Sequence, residues 1–410
     1  MKTILSSILL AALAAAQNVP HYTVTDLGTL GGTYSYAYGV NSAGWVSGGA
    51  AIKAQTDGLG QTAFLWYGPG QMVNLGTLGG ANSSAGGPNA AGEVVIGSET
   101  FQKDPNGEDF CAFGTHLQCL PVIWKNGVMN VLPILKGGNN GNPFGLNNAG
   151  EVVGFSENGT RDATCASSTP SQVLRFQAVV WKKNGKITEL APLKGDTVAF
   201  GFGINDNGQA VGGSGLCSNT GLPPMPAAPH AVLWAKDGTA TDLGNLGVAN
   251  AVASSINNLG EVVGAGESPK DGNTYAFLWT SATGMQQLPS FPGAVLTVAP
   301  CCNVINNRSE ITGFSCDVMF NCRAVLWHGK TIYDLNSLIP AGSPWYLINS
   351  NAMNDAGEII GYGMINGNLH AFLASPTTGL YEPPTVTLPA VLPEHIRTQL
   401  RQRLPFARTR

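Results

Sequence analysis

Short apolar segments on either side of an Asn/Gly turn recur along almost the whole chain. Each copy has an apolar residue, Asn, two further residues, usually Gly, and then an apolar run that ends near Gly, as in residues 145–154 and 255–264. Two apolar segments around such a turn are typical of a β-hairpin. The repeated asparagine occurs seven times, at steps of 48 to 58 residues: Asn41, Asn89, Asn147, Asn205, Asn257, Asn306 and Asn354.

Two further elements follow each hairpin. One is an apolar segment that usually ends in Trp, and six of the eight tryptophans occupy this place: Trp66, Trp124, Trp181, Trp234, Trp279 and Trp327. The other follows a turn with Gly, as in residues 74–80 and 241–247. Each repeat therefore predicts four short strands, a to d in chain order, and we expect the tryptophans to fill the space between neighbouring sheets.

The polar residues of the hairpin turn also repeat. We expect the asparagines to form the turn, because Asn tolerates positive φ and its side chain can bond its own backbone two residues on. A carboxylate often follows the turn, and we expect these groups to be solvated rather than catalytic, since an acid/base pair needs a shared cleft. They are Glu93, Glu151, Glu261, Glu310 and Glu358.

The repeats resemble those of the extracellular HAF family, named for a His-Ala-Phe tripeptide. The matching segments include residues 25–32, 203–208 and 370–373, and the resemblance covers roughly residues 23–374. It implies a repetitive extracellular protein and no particular activity. The tripeptide's His is kept at His230 and His370, and the other copies have Thr62, Pro121, Gln177, Tyr275 and Arg323 in its place.

These elements predict an all-β fold, a seven-bladed β-propeller of four-stranded antiparallel blades. One such sheet cannot bury both of its faces, whereas stacking sheets around an axis covers them. The chain opens with a d-type segment at residues 21–30, and its last repeat ends at the c-type segment 370–373. Paired prolines at 383–384 cannot donate to a strand ladder. We therefore expect the N-terminal strand to complete the last blade and close the ring.

Composition narrows the class of protein. The 410 residues are 43% hydrophobic and 11% charged, against ~25% charged in ordinary soluble domains. This excludes a disordered chain. The 54 glycines show no triplet period, which excludes collagen. A net charge of −4 supplies no basic field, so we expect no nucleic-acid partner.

The chain ends predict targeting and a separate tail. Residues 1–16 have one Lys, an apolar run and three alanines, as a signal peptide does. The run is too short to span a membrane, and no later segment is long enough. We expect a secreted monomer with the propeller at residues 17–388. Residues 389–410 hold five of the nine arginines, and this basic tail is either an ordered strap or disordered.

Eight cysteines in an oxidising compartment predict disulfides. Cys111 with Cys119 and Cys316 with Cys322 could each close a short loop, while the pairing of Cys165, Cys217, Cys301 and Cys302 stays open. We expect the adjacent Cys301 and Cys302 to have separate partners because of disulfide geometry. Their spacing predicts no metal site.

Three sequons make Asn82, Asn158 and Asn307 candidate glycosylation sites.

Topology sorts the loops onto two faces. In a four-stranded meander the a–b and c–d turns share one face, while the b–c loops and the links between sheets share the other. The b–c loops of repeats 2 to 4 are long, about 22, 20 and 15 residues, and long loops on a rigid scaffold often carry function. We expect the links to bring aromatic side chains to a channel mouth: Tyr34, Tyr36, Phe144, Phe200, Phe202, Trp345 and Tyr346.

An aromatic mouth suits a sugar or an apolar small molecule, although the same rings could simply fill the centre. The catalytic candidate is His116, which lies near Glu108 and Asp109 in the Cys111–Cys119 loop. A loop histidine without a role is the simpler alternative. No phosphate-binding motif occurs, so no cofactor is implied.

The leading hypothesis is a secreted propeller that binds a glycan or an apolar small molecule at its long-loop face. The alternative is a secretory-pathway enzyme, such as a lyase, hydrolase or cyclase, that acts on an apolar metabolite. A structural matrix or wall protein is a third hypothesis.

Overall fold

The computed structural model describes residues 20–53, 60–167, 171–222, 227–300, 302–377 and 390–403. The predicted signal peptide, Cys301 and residues 404–410 lie outside these ranges. The described chain is all-β, as predicted, and its strands form five four-stranded sheets and one eight-stranded sheet. Three short 3₁₀ turns occur, at Ala163–Ser167, Cys217–Asn219 and Leu335–Leu338.

The strands follow the four-element pattern of the repeats. An initial strand, β1 (His21–Asp26), precedes them. Repeat 1 contains β2 (Gly31–Val40), β3 (Val46–Ile52), β4 (Thr62–Trp66) and β5 (Met72–Gly76). Repeat 2 contains β6 (Gly79–Pro88), β7 (Val94–Lys103), β8 (Leu117–Lys125) and β9 (Val128–Val131). Repeat 3 contains β10 (Gly141–Leu146), β11 (Val152–Arg161), β12 (Leu174–Trp181) and β13 (Ile187–Leu190). Repeat 4 contains β14 (Val198–Ile204), β15 (Ala210–Gly215), β16 (His230–Trp234) and β17 (Ala240–Asp242).

The remaining repeats form the eight-stranded sheet and the sheet that contains β1. Repeat 5 contains β18 (Ala251–Ile256), β19 (Val262–Glu267), β20 (Thr274–Thr280) and β21 (Gly284–Gln287). Repeat 6 contains β22 (Ala294–Val298), β23 (Ile311–Asp317), β24 (Cys322–His328) and β25 (Thr331–Asp334). Repeat 7 contains β26 (Tyr346–Met353), β27 (Ile359–Ile365) and β28 (Asn368–Thr377). Repeats 5 and 6 share one sheet because Thr274 and Tyr275 pair in parallel with Leu296 and Thr297.

The fourth strand of repeat 7 comes from the other end of the chain. β1 pairs antiparallel with β28, from His21 opposite Thr377 to Asp26 opposite Phe372. This is the pairing that the order of the sequence elements predicts, and it gives repeat 7 the same strand order as the four-stranded sheets.

Neighbouring repeats pack sheet on sheet, and tryptophans fill the contact as expected. Trp181, Trp234 and Trp327 are at most 1% exposed. Each indole N–H donates to a carbonyl of the preceding repeat: Trp181 to Pro133 at 2.6 Å, Trp234 to Ala191 at 2.8 Å and Trp327 to Pro289 at 2.8 Å. The burial of a large ring with its one polar atom satisfied fixes each sheet against its neighbour.

The seven repeated asparagines form an uninterrupted series of hydrogen bonds. The Nδ2 of each one donates to the backbone oxygen of the asparagine in the next repeat, at 2.9 to 3.3 Å, and Asn354 donates to Asn41. All seven are at most 7% exposed. We call the face that carries them the asparagine face, and the opposite face the long-loop face.

The same side chains also form the turns. The Oδ1 of Asn205, for example, accepts from the backbone N–H groups of Asn207 at 3.1 Å and Gln209 at 3.0 Å. The positive φ, however, falls on the residue three positions later, such as Gly208 at 80°. The asparagines therefore act through their side chains, and the glycine supplies the backbone conformation that other residues rarely adopt.

Contrary to expectation, the carboxylates after these turns are buried or half-buried. Glu93 and Glu310 are 7% and 8% exposed. Glu93 accepts from Asn89 Nδ2 at 2.8 Å and from Lys125 Nζ at 3.0 Å. Although burial acts to raise it, these two hydrogen bonds hold the pKa of Glu93 below its ordinary value. The carboxylates therefore stabilise the asparagine series by accepting hydrogen bonds from the Nδ2 groups of its asparagines.

The His of the tripeptide pairs with an Asp of the d strand. Nδ1 of His370 lies 3.0 Å from the Asp26 carboxylate, and Nδ1 of His230 lies 3.2 Å from that of Asp242. In repeat 6, Arg323 takes the place of His and bonds Asp334 at 3.2 Å. In these three repeats the residue at the tripeptide position is thus a cross-strand partner of a d-strand carboxylate.

The described part of the tail contains a helix, α1 (Glu394–Arg403), which packs on repeats 6 and 7. The segment is an ordered strap there. No helix in the described ranges has both the length and the apolar content that crossing a bilayer requires.

Candidate ligand-binding site

Disulfides stabilise the long-loop face. Cys111–Cys119 and Cys316–Cys322 form as predicted, within the b–c loops of repeats 2 and 6. Cys165–Cys217 joins the loops of repeats 3 and 4. These three bonds engage six of the eight cysteines, and Cys301 lies outside the described residues.

The predicted aromatic residues do not share one mouth. Tyr34 and Tyr36 belong to a tyrosine cluster with Tyr346 and Tyr362. Trp345 packs between repeats 6 and 7, with its ring 6.1 Å from that of Phe372. Phe144, Phe200 and Phe202 belong to a phenylalanine cluster that also includes Phe110, Phe155 and Phe176.

Burial corrects the prediction further. Tyr34, Tyr36, Phe200, Phe202 and Trp345 are all at most 8% exposed, so they fill the interior instead of lining an opening. Phe144 and Tyr346 are half-buried.

The residues that face the axis are set by a β-bulge that recurs in the first strand of six repeats. At the same place in each of these strands, one or two residues have no partner in the pairing with the second strand. These unpaired positions are Tyr38, Gly86, Gly87, Phe144, Phe202, Ser254 and Asn351. First strands of successive repeats contact one another, as β2 does with β6 and β26. A bulge in an innermost strand re-aims its side chain. We call these seven residues the bulge ring.

In repeat 6 the bulge is enlarged and crosses the axis. The ladder resumes only where Thr312 N–H donates to Val304 O at 2.9 Å, and Cys302 and Asn303 have φ of 79° and 66°. Cys302 N–H donates to Ser254 O at 3.4 Å, and its sulfur lies 3.9 Å from Phe202 O. Asn303 O accepts from Met353 N–H at 2.9 Å. Residues 302–303, the plug, thus contact repeats 4, 5 and 7.

The plug also reaches repeat 2. Asn303 Nδ2 lies 3.5 Å from the position that a Cβ on Gly87 would occupy. Since Asn303 is three residues from Asn306, the plug lies toward the asparagine face. We infer that the space on the other side of the plug opens toward the long-loop face, and we call this inferred space the cup.

The open wall of the cup lies at repeats 1 to 3. Tyr38, Gly86 and Phe144 are half-buried, whereas Phe202, Ser254 and Asn351 are at most 6% exposed. The Phe144 ring stacks on Phe155 at 5.6 Å, which fixes its orientation. Two glycines between two aromatic residues allow a ligand to approach the backbone closely.

The bulge ring carries no ionisable group of ordinary pKa near neutrality, since it consists of Tyr, Gly, Phe, Ser and Asn. Its polar partners for a ligand are hydroxyl and amide groups. Such a wall suits an uncharged molecule with an apolar ring face. Within the described ranges, no group of three His, Cys, Asp or Glu side chains is placed to hold a metal ion.

His116 lies apart from any carboxylate partner in a catalytic arrangement. It is exposed, and its Nδ1 lies 2.8 Å from Gly107 O. Asp109 instead accepts from Gly114 N–H, and Glu108, 2% exposed, accepts from Leu174 N–H at 3.0 Å. The structure therefore brings none of the predicted carboxylates to His116.

A buried carboxyl that the sequence analysis missed is Glu157. It is fully buried and accepts from Asn139 N–H at 2.8 Å and from Asn140 N–H at 3.0 Å. Burial, followed by the charges of Glu108 and Asp104, raises the pKa of Glu157 to about 8. Glu157 anchors the link between repeats 2 and 3.

The sequons differ in accessibility. Asn82 is 3% exposed, and its Nδ2 donates to Glu99 at 3.0 Å, so this packing has no room for a glycan at Asn82. Asn158 and Asn307 are half-buried, and Asn307 Nδ2 donates to Asp355 at 2.8 Å.

No family model matches the sequence, and a search of curated proteins returns no match. Solved structures with a similar fold include a streptogramin B lyase, with 11% identity, a TM-score of 0.46 and coverage of 87% of this chain and 98% of that one. Virginiamycin B lyase from Staphylococcus aureus has 11% identity and a TM-score of 0.47, with coverage of 86% of this chain and 98% of that one. The β-propeller domain of the Trilobed protease from Pyrococcus furiosus has 8% identity and a TM-score of 0.48, with coverage of 85% of this chain and 99% of that one. The likeness is one of fold at low identity, and no activity is transferred from it.

Proposed function

We propose that the four-stranded repeats are the seven blades of a closed ring in a secreted protein. The series of asparagine hydrogen bonds, in which Asn354 donates to Asn41, supports this closure. The pairing of β1 with β28 supports it independently. Three disulfides agree with the oxidising compartment to which the predicted signal peptide would direct the chain. Membership of the HAF-repeat family is part of the same proposal.

We infer that the cup binds an uncharged, ring-shaped small molecule, either a sugar or an apolar metabolite. The observation that carries this proposal is the bulge ring, which holds half-buried Tyr38 and Phe144 on either side of the Gly86–Gly87 backbone, above a plug that closes the axis. Aromatic faces gain from covering the apolar face of a ring, and a closed floor lets the ligand be largely enclosed.

Filling the cup tests this proposal. A Cβ at Gly87 would meet only ordinary contacts, the nearest at 3.5 Å, and the Gly87 backbone does not have positive φ. Gly87→Val therefore adds volume at the cup without clashing at its first atom. Ala149→Val adds the same two methyl groups to an exposed turn on the asparagine face and serves as the control.

Binding of 2-naphthol and of glycans on an array would be measured for both variants. We expect Gly87→Val to lose at least ten-fold in affinity for whichever probe the wild type binds, and Ala149→Val to match the wild type. Equal affinity of Gly87→Val and wild type would refute the cup as the site.

An enzyme that acts on an apolar metabolite, a lyase, hydrolase or cyclase, is the second candidate, and Glu157 favours it. Glu157 lies two residues from Phe155, on which Phe144 stacks, and burial together with the charges of Glu108 and Asp104 raises the pKa of its carboxyl. Metabolite profiles of a strain lacking the gene should then show an accumulated precursor. The wild-type gene should restore the profile and Glu157→Gln should not; an unchanged profile in the deletion strain argues for binding alone.

A further inference from the structure

Helix α1 is held on the long-loop face chiefly by three aliphatic side chains. Leu392, Ile396 and Leu400 are 1%, 2% and 1% exposed, and they join the tyrosine cluster. Half-buried Tyr38 of the bulge ring packs against the same cluster. The helix therefore covers a surface that continues into the cup.

The described ion pairs of α1 lie within the helix. Arg397 and Arg401 both pair with Glu394, at 2.5 and 3.1 Å. Among the described residues, Leu392 N–H donates to Asn321 Oδ1 of the ring at 3.0 Å and Arg401 Nη2 donates to Met319 O at 3.5 Å. The Arg401 guanidinium also lies 5.6 Å from the Phe320 ring centroid. The segment 390–403 contains no cysteine. Undocking of α1 thus leaves every described ion pair of the helix intact.

A helix of ten residues is too short to be stable alone in water. Its order depends on docking, and docking must offset the conformational entropy of the whole segment. Few crossing contacts and a high ordering cost are the properties of a removable cover.

A buried acceptor without a donor lies beside the tyrosine cluster. Asn349 is 3% exposed, and its Nδ2 donates to Tyr362 Oη at 3.1 Å. Its Oδ1 has no hydrogen-bond partner among the described residues. A buried acceptor left in this state costs free energy, and a ligand that carries a donor would remove the cost. Tyr346 lies in the same cluster, and burial raises the pKa of its hydroxyl above its ordinary value.

We propose that α1 is a removable cover and that its undocking opens a second binding position, built on Asn349, Tyr346 and Tyr362, for a ring compound with a hydroxyl or amine donor. The position is distinct from the Gly87 side of the cup. Tyrosine rings contact the ring of the ligand, and Asn349 Oδ1 accepts from its donor group.

The test measures 2-naphthol binding in the Gly87→Val background, in which the cup is filled. Ile396→Glu places a charge at a buried position of α1, and Thr398→Glu places the same charge at an exposed one. If the cover is closed most of the time, the apparent dissociation constant is raised by the inverse of the open fraction. We expect Ile396→Glu to bind 2-naphthol at least ten-fold more tightly and Thr398→Glu to bind as the parent does.

Hydrogen exchange reports the cover independently of the ligand. In the wild type, amides of residues 394–403 should exchange faster than those of β26 to β28, and Ile396→Glu should accelerate residues 394–403 alone. Where Ile396→Glu fails to fold, Leu400→Ala replaces it. Undocking by exchange without tighter binding, or binding that weakens on undocking, would overturn the proposal and leave the cup proposal untouched.

The donor requirement is tested by comparing 2-naphthol with 2-methoxynaphthalene, which lacks the O–H. In Ile396→Glu we expect at least a five-fold preference for 2-naphthol. Asn349→Leu should abolish the preference, while Asn349→Asp, which keeps an acceptor, should retain it. Equal affinity for the two probes in Ile396→Glu would refute the role of Asn349.

Discussion

The two faces of the molecule are built from the same repeat but are stabilised differently. On the asparagine face, every repeat uses one side chain for the same buried hydrogen bond to its neighbour. On the long-loop face the loops differ in length, disulfide bonds join some of them, and the bulge ring has a different residue in nearly every repeat. The repeated side chains of this protein therefore maintain the architecture, and the divergent ones shape the candidate site.

The carboxylates show the same contrast. On the asparagine face, hydrogen bonds from Asn89 and Lys125 lower the pKa of Glu93 despite its burial. On the long-loop face, burial and two neighbouring carboxylates raise that of Glu157. Hydrogen bonds on one face favour the ionised form of Glu93, and burial on the other face favours the neutral form of Glu157.

The largest expected effect is loss of the Cys165–Cys217 bond. It spans 52 residues, and in the chain-entropy model Cys165→Ala with Cys217→Ala costs about 4 kcal/mol. The matched variant without Cys316–Cys322, which spans 6 residues, should lose about 2 kcal/mol. Urea unfolding of both double variants measures the difference. Equal losses would mean that loop closure does not explain how this face is stabilised.

The next effect is on the asparagine face. Asn205→Ala removes the bond to Asn257 O at 3.0 Å and the bonds from Asn207 and Gln209 N–H, which leaves buried groups unpaired. We expect a loss of about 3 kcal/mol in the free energy of unfolding. Asn148→Ala, at the exposed neighbouring position, should cost less than about 1 kcal/mol. Similar values for the two would contradict a structural role for the buried series.

The smallest effect concerns pH. Glu157 has a folded pKa of about 8 against an ordinary value of 4.5. Between these values the unfolded chain releases the proton and the folded chain keeps it, so stability falls as pH rises and is level above about 8. Glu157→Gln, which resembles the neutral acid, should be more stable than wild type at pH 8 and similar to it at pH 4.

For Glu93→Gln we expect the stability relative to wild type to change with pH in the opposite direction to that of Glu157→Gln. The pKa of Glu93 is lower in the folded chain than its ordinary value. The ionised Glu93 therefore stabilises the fold above the ordinary pKa of a glutamate, and this stabilisation is lost as pH falls through the folded pKa. Thermal melts of both variants across pH 4 to 9 make the measurement. Parallel pH profiles would contradict the difference in electrostatics between the two faces.

Sequence patterns predicted the strands well because each strand is specified by its own residues. The hairpin asparagines, the tryptophan that ends each c segment and the displaced strand β1 were all visible as local repeats. Two disulfides were also predicted, since short spacing alone brings Cys111 near Cys119 and Cys316 near Cys322.

The candidate site was predicted poorly, and the reason is the bulge. Side chains of a strand alternate between its two sides, so one extra residue exchanges the sides for everything beyond it. Tyr36 is therefore buried in the tyrosine cluster, while Tyr38, two positions on, is half-buried at the bulge and packs against the same cluster. The two glycines of repeat 2 and the plug gave no signal in the hydrophobic pattern.

The sequence by itself determined the all-β repeat, the four strands of each copy and the amide that shapes each turn, because these depend on residues close together in the chain. Only the tertiary structure decided that Asn354 meets Asn41, that Glu157 is enclosed beside Glu108 and Asp104, and that Asn303 approaches Gly87 across the axis. Those contacts join residues far apart in sequence, and their chemistry arises when packing removes water and brings the groups into one another's reach.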